Sequence, residues 1–267
     1  MRVVLFCGGQ GLRLRDHSES LPKPMVSVGY RPILWHVMRT YAHWGHRDFI
    51  LALGYRADTI KDYFLGYNEA LSNDFVLHRG GRELELVSQD IEDWEIRFAD
   101  TGLHTNVGQR LLALADHLQD EDMFLANYGD VLTDAPLPSI IEHFRQSGKL
   151  AGFVAVRPRP YTFHLVDVTG DHRVSGIQDI GSSDLWINGG YLMFRREFLA
   201  EIGPGEDLVP DVFPRLIERG LLAAYRYDGF WAPMDTIRDW QRLGAMADSG
   251  NMPWAVWNHT AGPSAAT

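Results

Sequence analysis

Residues 2–7 form a β-branched apolar run that stops abruptly at Gly8, Gly9 and Gly11. A buried strand that feeds straight into glycines leaves its backbone open to close approach by another group. The alternation that follows constrains the fold further. Pro32 stands where a first helical turn tolerates it, and Ile33, Leu34, Val37, Met38, Tyr41 and Trp44 recur at helical spacing up to Gly45. A strand over 49–53, helices over about 57–70 and 110–118, and a strand over 123–128 that runs into Gly129-Asp130 continue the pattern. Strand, helix, strand alternation predicts an α/β fold with a Rossmann-like, mostly parallel mixed sheet flanked by helices.

Residues 75–77, 83–87 and 94–99 alternate at period two and predict a small antiparallel ribbon inserted into that sheet. After a helix near 139–146, strands over 152–156, 163–168, 174–178 and 191–194 predict a strand-rich lobe. Helices near 209–218 and 237–247 flank a final strand at 222–227, and the tail from Asn258 is small and polar enough to fray.

Composition removes several function classes. A formal charge of -10 over 267 residues repels duplex nucleic acid, although a local cationic pocket for a phosphorylated small molecule remains compatible with it. No run approaches the ~20 apolar residues of a membrane span. Cys7, the single cysteine, has no partner for an internal disulfide and reads as a packed thiol in a reducing cytoplasm.

Three segments carry chemistry. Gly8, Gly9 and Gly11 expose backbone N–H groups, and Arg13 and Lys23 add positive charge beside them, which suits a polyphosphate cradle; a surface turn with solvated basic residues is the alternative. The dinucleotide fingerprint fails because Leu14 stands at its third glycine, and no Lys-Ser or Lys-Thr closes a Walker A loop. Tyr128-Gly129-Asp130 places a carboxylate at a strand end, where open parallel sheets bind ligands. Asp235 precedes a helix for which it or Thr236 is a natural N-cap. Paired with Asp130 at a phosphate cradle, it makes a second use possible, because Mg²⁺ takes one or two carboxylates and shares the phosphates of its substrate. His36, His43 and His46 have no accompanying carboxylate or cysteine pattern and read as packing or surface residues. Trp186 and Trp231 suit either a core or a stacking surface.

Gly8-Gly9-Gln10-Gly11-Leu12-Arg13-Leu14, Leu21-Pro22-Lys23-Pro24-Met25 and Arg31-Pro32-Ile33-Leu34-Trp35-His36 together resemble the signature of the sugar-1-phosphate nucleotidyltransferases. The likeness continues through Asp100-Thr101-Gly102, Gly108-Gln109-Arg110-Leu111, Tyr128-Gly129-Asp130, Trp186-Ile187-Asn188-Gly189-Gly190 and Gly229-Phe230-Trp231 with Met234-Asp235-Thr236, and several of these segments point to the cytidylyl branch. The resemblance implies Mg²⁺-dependent transfer of CMP from CTP to a sugar 1-phosphate, with glucose 1-phosphate as the expected acceptor. It implies that Gly8, Gly9 and Gly11 contact the nucleotide, Arg13 and Lys23 grip its phosphates, and Gly108 and Arg110 seat base and ribose. It further implies that Asp130 and Asp235 hold the metal, and that Asn188 with Gly189 and Asp235 meets the sugar phosphate. On this reading residues 1–257 form one nucleotidyltransferase domain. About 1–148 serve the nucleotide, about 149–257 the sugar phosphate, and 258–267 are a flexible tail of a cytoplasmic homo-oligomer.

The departures are specific. Leu12 stands where the family has a hydroxyl, Gln178-Asp179-Ile180-Gly181 replaces a Glu-Lys-Pro segment whose lysine meets the sugar's phosphate, and Pro160-Tyr161-Thr162 replaces Arg-Tyr-Gly. Arg157, Arg159 or Arg173 offers the missing charge. A different or larger sugar 1-phosphate, GTP as donor, and a catalytically silent nucleotide-binding subunit are the alternatives.

Overall fold

A computed structural model describes residues 1–9 and 21–258. Gly11, Arg13 and the tail residues 259–267 therefore lie outside the described residues. In chain order the first elements are β1 (Val3–Phe6), the short pair β2 (Ser27–Val28) and β3 (Arg31–Pro32), α1 (Ile33–His43), β4 (Asp48–Leu53), α2 (Ala57–Leu65), β5 (Phe75–His78), β6 (Glu83–Leu86) and β7 (Glu95–Asp100). α3 (Val107–Ala113), β8 (Met123–Tyr128), β9 (Val131–Thr133), α4 (Leu137–Ser147), β10 (Ala151–Val156), β11 (His164–Val168) and β12 (Val174–Asp179) follow. β13 (Ile187–Arg195), a π-helical turn Leu208–Val212, α5 (Phe213–Glu218), β14 (Leu222–Tyr227), β15 (Trp231–Pro233) and α6 (Ile237–Asp248) complete the chain.

Among the described residues the main sheet has seven strands in the order β14-β10-β13-β8-β1-β4-β7. β1 pairs in parallel with β4 and β8, β4 with β7, and β10 with β14, while β13 runs antiparallel to both β8 and β10. Six strands thus end on one edge of the sheet, and β13 starts there. β1 is buried at every position, as a strand covered on both faces requires. One face packs under α1 with Leu5, Phe49 and Met193, the other under α3 and α5 with Val4, Phe124 and Phe194.

The predicted ribbon is corrected at its third segment. β5 and β6 pair with each other as expected, but residues 95–100 join the main sheet parallel to β4, because Ile96 and Phe98 pack against the core. The second half of the chain likewise adds β10, β13 and β14 to the same sheet, while β11–β12 stands off as a two-stranded ribbon and β15 pairs with β9. α3 begins earlier than its apolar spacing suggested, because the Asn106 side chain caps it by accepting from Gln109 N at 2.9 Å.

Pro32 caps α1 in an extended conformation, φ -64° and ψ 151°, and the helix it starts is buried on nearly all sides. His36 lies within it. Its Nε2–H donates to Val28 O at 2.9 Å, and its Nδ1 accepts from Trp254 Nε1 at 3.3 Å. That contact holds the C-terminal segment against the helix. Among the described residues no helix is long and apolar enough to cross a membrane.

Candidate active site

The loops beyond β8 and β15 meet because their neighbouring strands pair. β15 lies antiparallel to β9, with Pro233 opposite Val131, and Met234 N donates to Asp130 O at 3.0 Å. Asp235 therefore arrives beside Asp130, although 105 residues separate them. Thr236, not Asp235, caps α6: its hydroxyl accepts from Asp239 N, and the Asp239 carboxylate accepts from Thr236 N. The Asp235 side chain is left for Lys23, which the Lys23–Met25 turn presents from the other side. Lys23 Nζ lies 2.5 Å from Asp130 Oδ2 and 2.6 Å from Asp235 Oδ1.

Burial is the largest influence on both Asp130 and Lys23, and it acts on them differently. It pushes the Asp130 carboxyl above the usual carboxylate range; Lys23 pulls it back and Asp235 adds to the rise. Burial also opposes the Lys23 ammonium, but the two carboxylates outweigh it and raise its pKa. The site is thus one cation held between two anions, with side chains 16 to 30% exposed and so reachable by a ligand.

A cavity of about 490 Å³ opens beside this cluster. Gly8, Gly9, Lys23 and Asp130 form one part of its wall, residues 103–107 and Asp207 another, and Tyr128 and Arg110 also line it. Arg110 is 4% exposed, and its guanidinium donates to Leu53 O at 3.0 Å, Thr101 Oγ1 at 2.5 Å and Gly8 O at 3.1 Å. It ties the ends of β1, β4 and β7 together under the cavity floor. Burial lowers its pKa, with Cys7 and Asp100 acting in the opposite sense. A Cβ at Gly8 would fall 2.3 Å from that guanidinium, so glycine is needed there for packing. Gly108 lies outside the cavity lining; a Cβ on it would fall 2.4 Å from Glu206 O, so its smallness admits the 203–207 loop.

Asn188 and Gly189 open β13 at the same sheet edge. The Asn188 side chain accepts from Gly190 N at 2.9 Å, and Trp231 Nε1 donates to Gly189 O at 2.8 Å. Trp231 belongs to the core, whereas Trp186 lies beneath two guanidinium groups, Arg157 at 4.4 Å and Arg226 at 5.3 Å. Arg157 also donates to Ser183 O at 2.8 Å, Arg159 pairs with Asp228 at 2.8 Å, and Arg173 pairs with Asp171 at the tip of β11–β12. The Asp179 side chain turns back to Gly181 N at 2.7 Å, so this turn presents no cation. Arg226 and Asp207 escaped the sequence reading. Arg226 sits in an ordinary strand pattern, and Asp207 resembles a plain helix cap; only the fold puts them at the ligand edge.

The sequence pattern of the family described as nucleotidyl transferase matches residues 2–248. A glucose-1-phosphate cytidylyltransferase of Salmonella typhimurium is 33% identical over 259 residues, which cover 96% of this chain and 100% of that protein. Among solved structures, HddC from Yersinia pseudotuberculosis superposes with a TM-score of 0.67 at 19% identity, over 92% of this chain and 99% of that one. A UTP-bound UGPase from Acinetobacter baumannii also superposes with a TM-score of 0.67, at 17% identity and over 96% of each chain. These two likenesses bear on the fold alone. With the sequence match spanning almost the whole chain, and Gly8, Gly9, a lysine and two aspartates gathered at one sheet edge, the chain belongs to the nucleotidyl transferase family.

Proposed function

We propose that this enzyme transfers a nucleotidyl group to a sugar 1-phosphate and releases pyrophosphate, with CTP as donor, glucose 1-phosphate as acceptor and Mg²⁺ as cofactor. The observation that carries the reading is the Lys23 ammonium gripped by Asp130 and Asp235 where the glycine turn opens into the cavity. The donor set fits magnesium. Two carboxylates already surround one cation. That suits an ion which takes its remaining ligands from water and phosphate. When bound, it supplies charge neutralisation to the reacting phosphates.

The chain's own residues do the positioning. The attacking oxygen of a sugar phosphate is already anionic, so no strong general base is required, and catalysis rests on alignment and charge. Gly8 and Gly9 offer backbone N–H groups to the triphosphate, and Lys23 offsets its charge; Gly11 and Arg13 join them by resemblance. Arg110 and Gly108 act on the base side through packing, by holding the cavity floor and admitting the neighbouring loop. Asn188 and Gly189 stand where the sugar would lie, with Asp235 between sugar and metal. Residues 1–148 then serve the nucleotide and 149–257 the sugar phosphate. The exposed apolar residues Phe75, Leu77 and Leu84 on β5–β6 support a homo-oligomer, and the buried Cys7 thiol suits the cytoplasm.

A second reading keeps the chemistry and changes the sugar. It is favoured by the turn at Asp179 to Gly181, which lacks a cation while Arg157 and Arg226 gather nearby on Trp186. Pyrophosphate release from the four nucleoside triphosphates, each combined with several sugar 1-phosphates, tests both readings. Activity confined to CTP with glucose 1-phosphate would reject the second, and release from no combination would reject both.

A further inference from the structure

The 203–207 loop is fastened to the start of α3 and to α5. Asn106 Nδ2 donates to Gly205 O at 2.9 Å, Gln109 Nε2 donates to Gly203 O and Glu206 O at 2.9 and 3.1 Å, and Arg215 binds both carboxylate oxygens of Glu206 at 2.7 Å. This clamp holds Asp207 in the cavity wall. One of its oxygens, Oδ1, accepts from Leu208 N at 2.8 Å and from Gly108 N at 3.3 Å. The other, Oδ2, has no hydrogen-bond partner among the described residues.

A fixed carboxylate repels phosphate and attracts N–H or O–H donors. The triphosphate belongs with Lys23 and the glycine amides, so Asp207 faces the nucleoside. We propose that Asp207 selects the base: its Oδ2 accepts a hydrogen bond from an exocyclic amino group, such as that of cytosine, and disfavours a base that presents a carbonyl there, such as uracil. This rests on the nucleotidyl-transfer reading and assigns that site its base class. A carbonyl opposed to the carboxylate leaves two desolvated acceptors face to face, and a site built around a substrate N–H discriminates strongly against the analogue that lacks it.

Asp207→Asn tests this as a reversal of polarity rather than a truncation. The two N–H groups at Oδ1 require the amide carbonyl in that place, so the amide NH₂ takes the position of Oδ2 and an acceptor becomes a donor. The cap survives, and thermal unfolding should report an unchanged Tm. Wild type should prefer CTP over UTP by ~100-fold or more in kcat/KM, and the variant should shrink that ratio by at least ~30-fold while using UTP better in absolute terms. Nucleotide-binding isotherms without sugar phosphate should show the same shift. Equal use of CTP and UTP by wild type, or equal weakening of both in the variant as a ribose contact would give, overturns the inference. Failure to release pyrophosphate with any nucleotide overturns the transferase reading instead, and the CTP-to-UTP affinity ratio still decides the role of Asp207.

Discussion

The two ends of the ligand edge hold their cations differently. On the proposed nucleotide side Arg110 is buried and Lys23 half-buried, and each is gripped by groups from distant segments. On the proposed sugar side Arg159 and Arg173 are exposed; Arg159 pairs with Asp228 just beyond β14, and Arg173 with Asp171 in its own hairpin turn. Burial strengthens the first set, because charge in a poorly solvated cleft acts at short range without screening by water. Exposure weakens the second, since surface pairs contribute only ~0–1 kcal/mol and are screened by salt. The difference teaches where the molecule commits its geometry. The proposed triphosphate end holds its cations by long-range, largely buried contacts, and the proposed sugar end by exposed ion pairs.

The largest effect expected from this contrast is on turnover. Asp130→Asn should lower kcat by ~10³-fold with little loss of fold, because the amide keeps its place beside Lys23 while removing a buried charge; steady-state rates and circular dichroism check this. Retention of near full rate would take Asp130 out of the proposed metal site and break the comparison. Arg110→Ala should follow, destabilising the protein by about 3 kcal/mol in denaturant titration, since it removes a buried side chain that joins three strand ends and leaves the Gly8 carbonyl without its donor.

Protonation of His36 should cost a similar amount. Burial, opposed by its bond to Val28 and aided by Arg31, depresses its pKa to about 4. A depressed base is neutral in the folded protein while the unfolded chain takes up a proton below about 6.5. Stability is therefore fully present above that value, and about 3 kcal/mol is lost as pH falls towards 4. Added charge on Nδ1 would also break the bond from Trp254. His36→Gln should flatten this slope in urea titrations at pH 4.5 and 7. Arg173→Ala should have the smallest effect, under ~0.5 kcal/mol in the same titration, because it pairs at an exposed hairpin tip.

Much of the fold was legible because local patterns wrote it. β1, α1 and β8 announce themselves through apolar runs or helical spacing and through terminators such as Gly8, Gly45 and Gly129. The strand at residues 95–100 was misplaced because partial period-two alternation identifies a strand without naming its partner, and only packing of Ile96 and Phe98 settles that β7 lies beside β4. The same limit applies at the site. Lys23, Asp130 and Asp235 stood out by motif, but Asp207 and Arg226 carried no local mark, and Gly108 looked like a ligand contact when its position serves the approach of a loop.

By itself, the order of residues determined the alternating elements, the glycine turn and the acidic and basic residues available for chemistry, because these follow from side-chain period, φ preference and charge along neighbouring positions. Only the tertiary structure decided that Asp235 meets Asp130 across the β15–β9 pairing, that Lys23 bridges them, and that Asp207 lines an open cavity. Those outcomes depend on pairings between segments remote in the chain, whose register is set by burial of whole faces and not by any residue's neighbours.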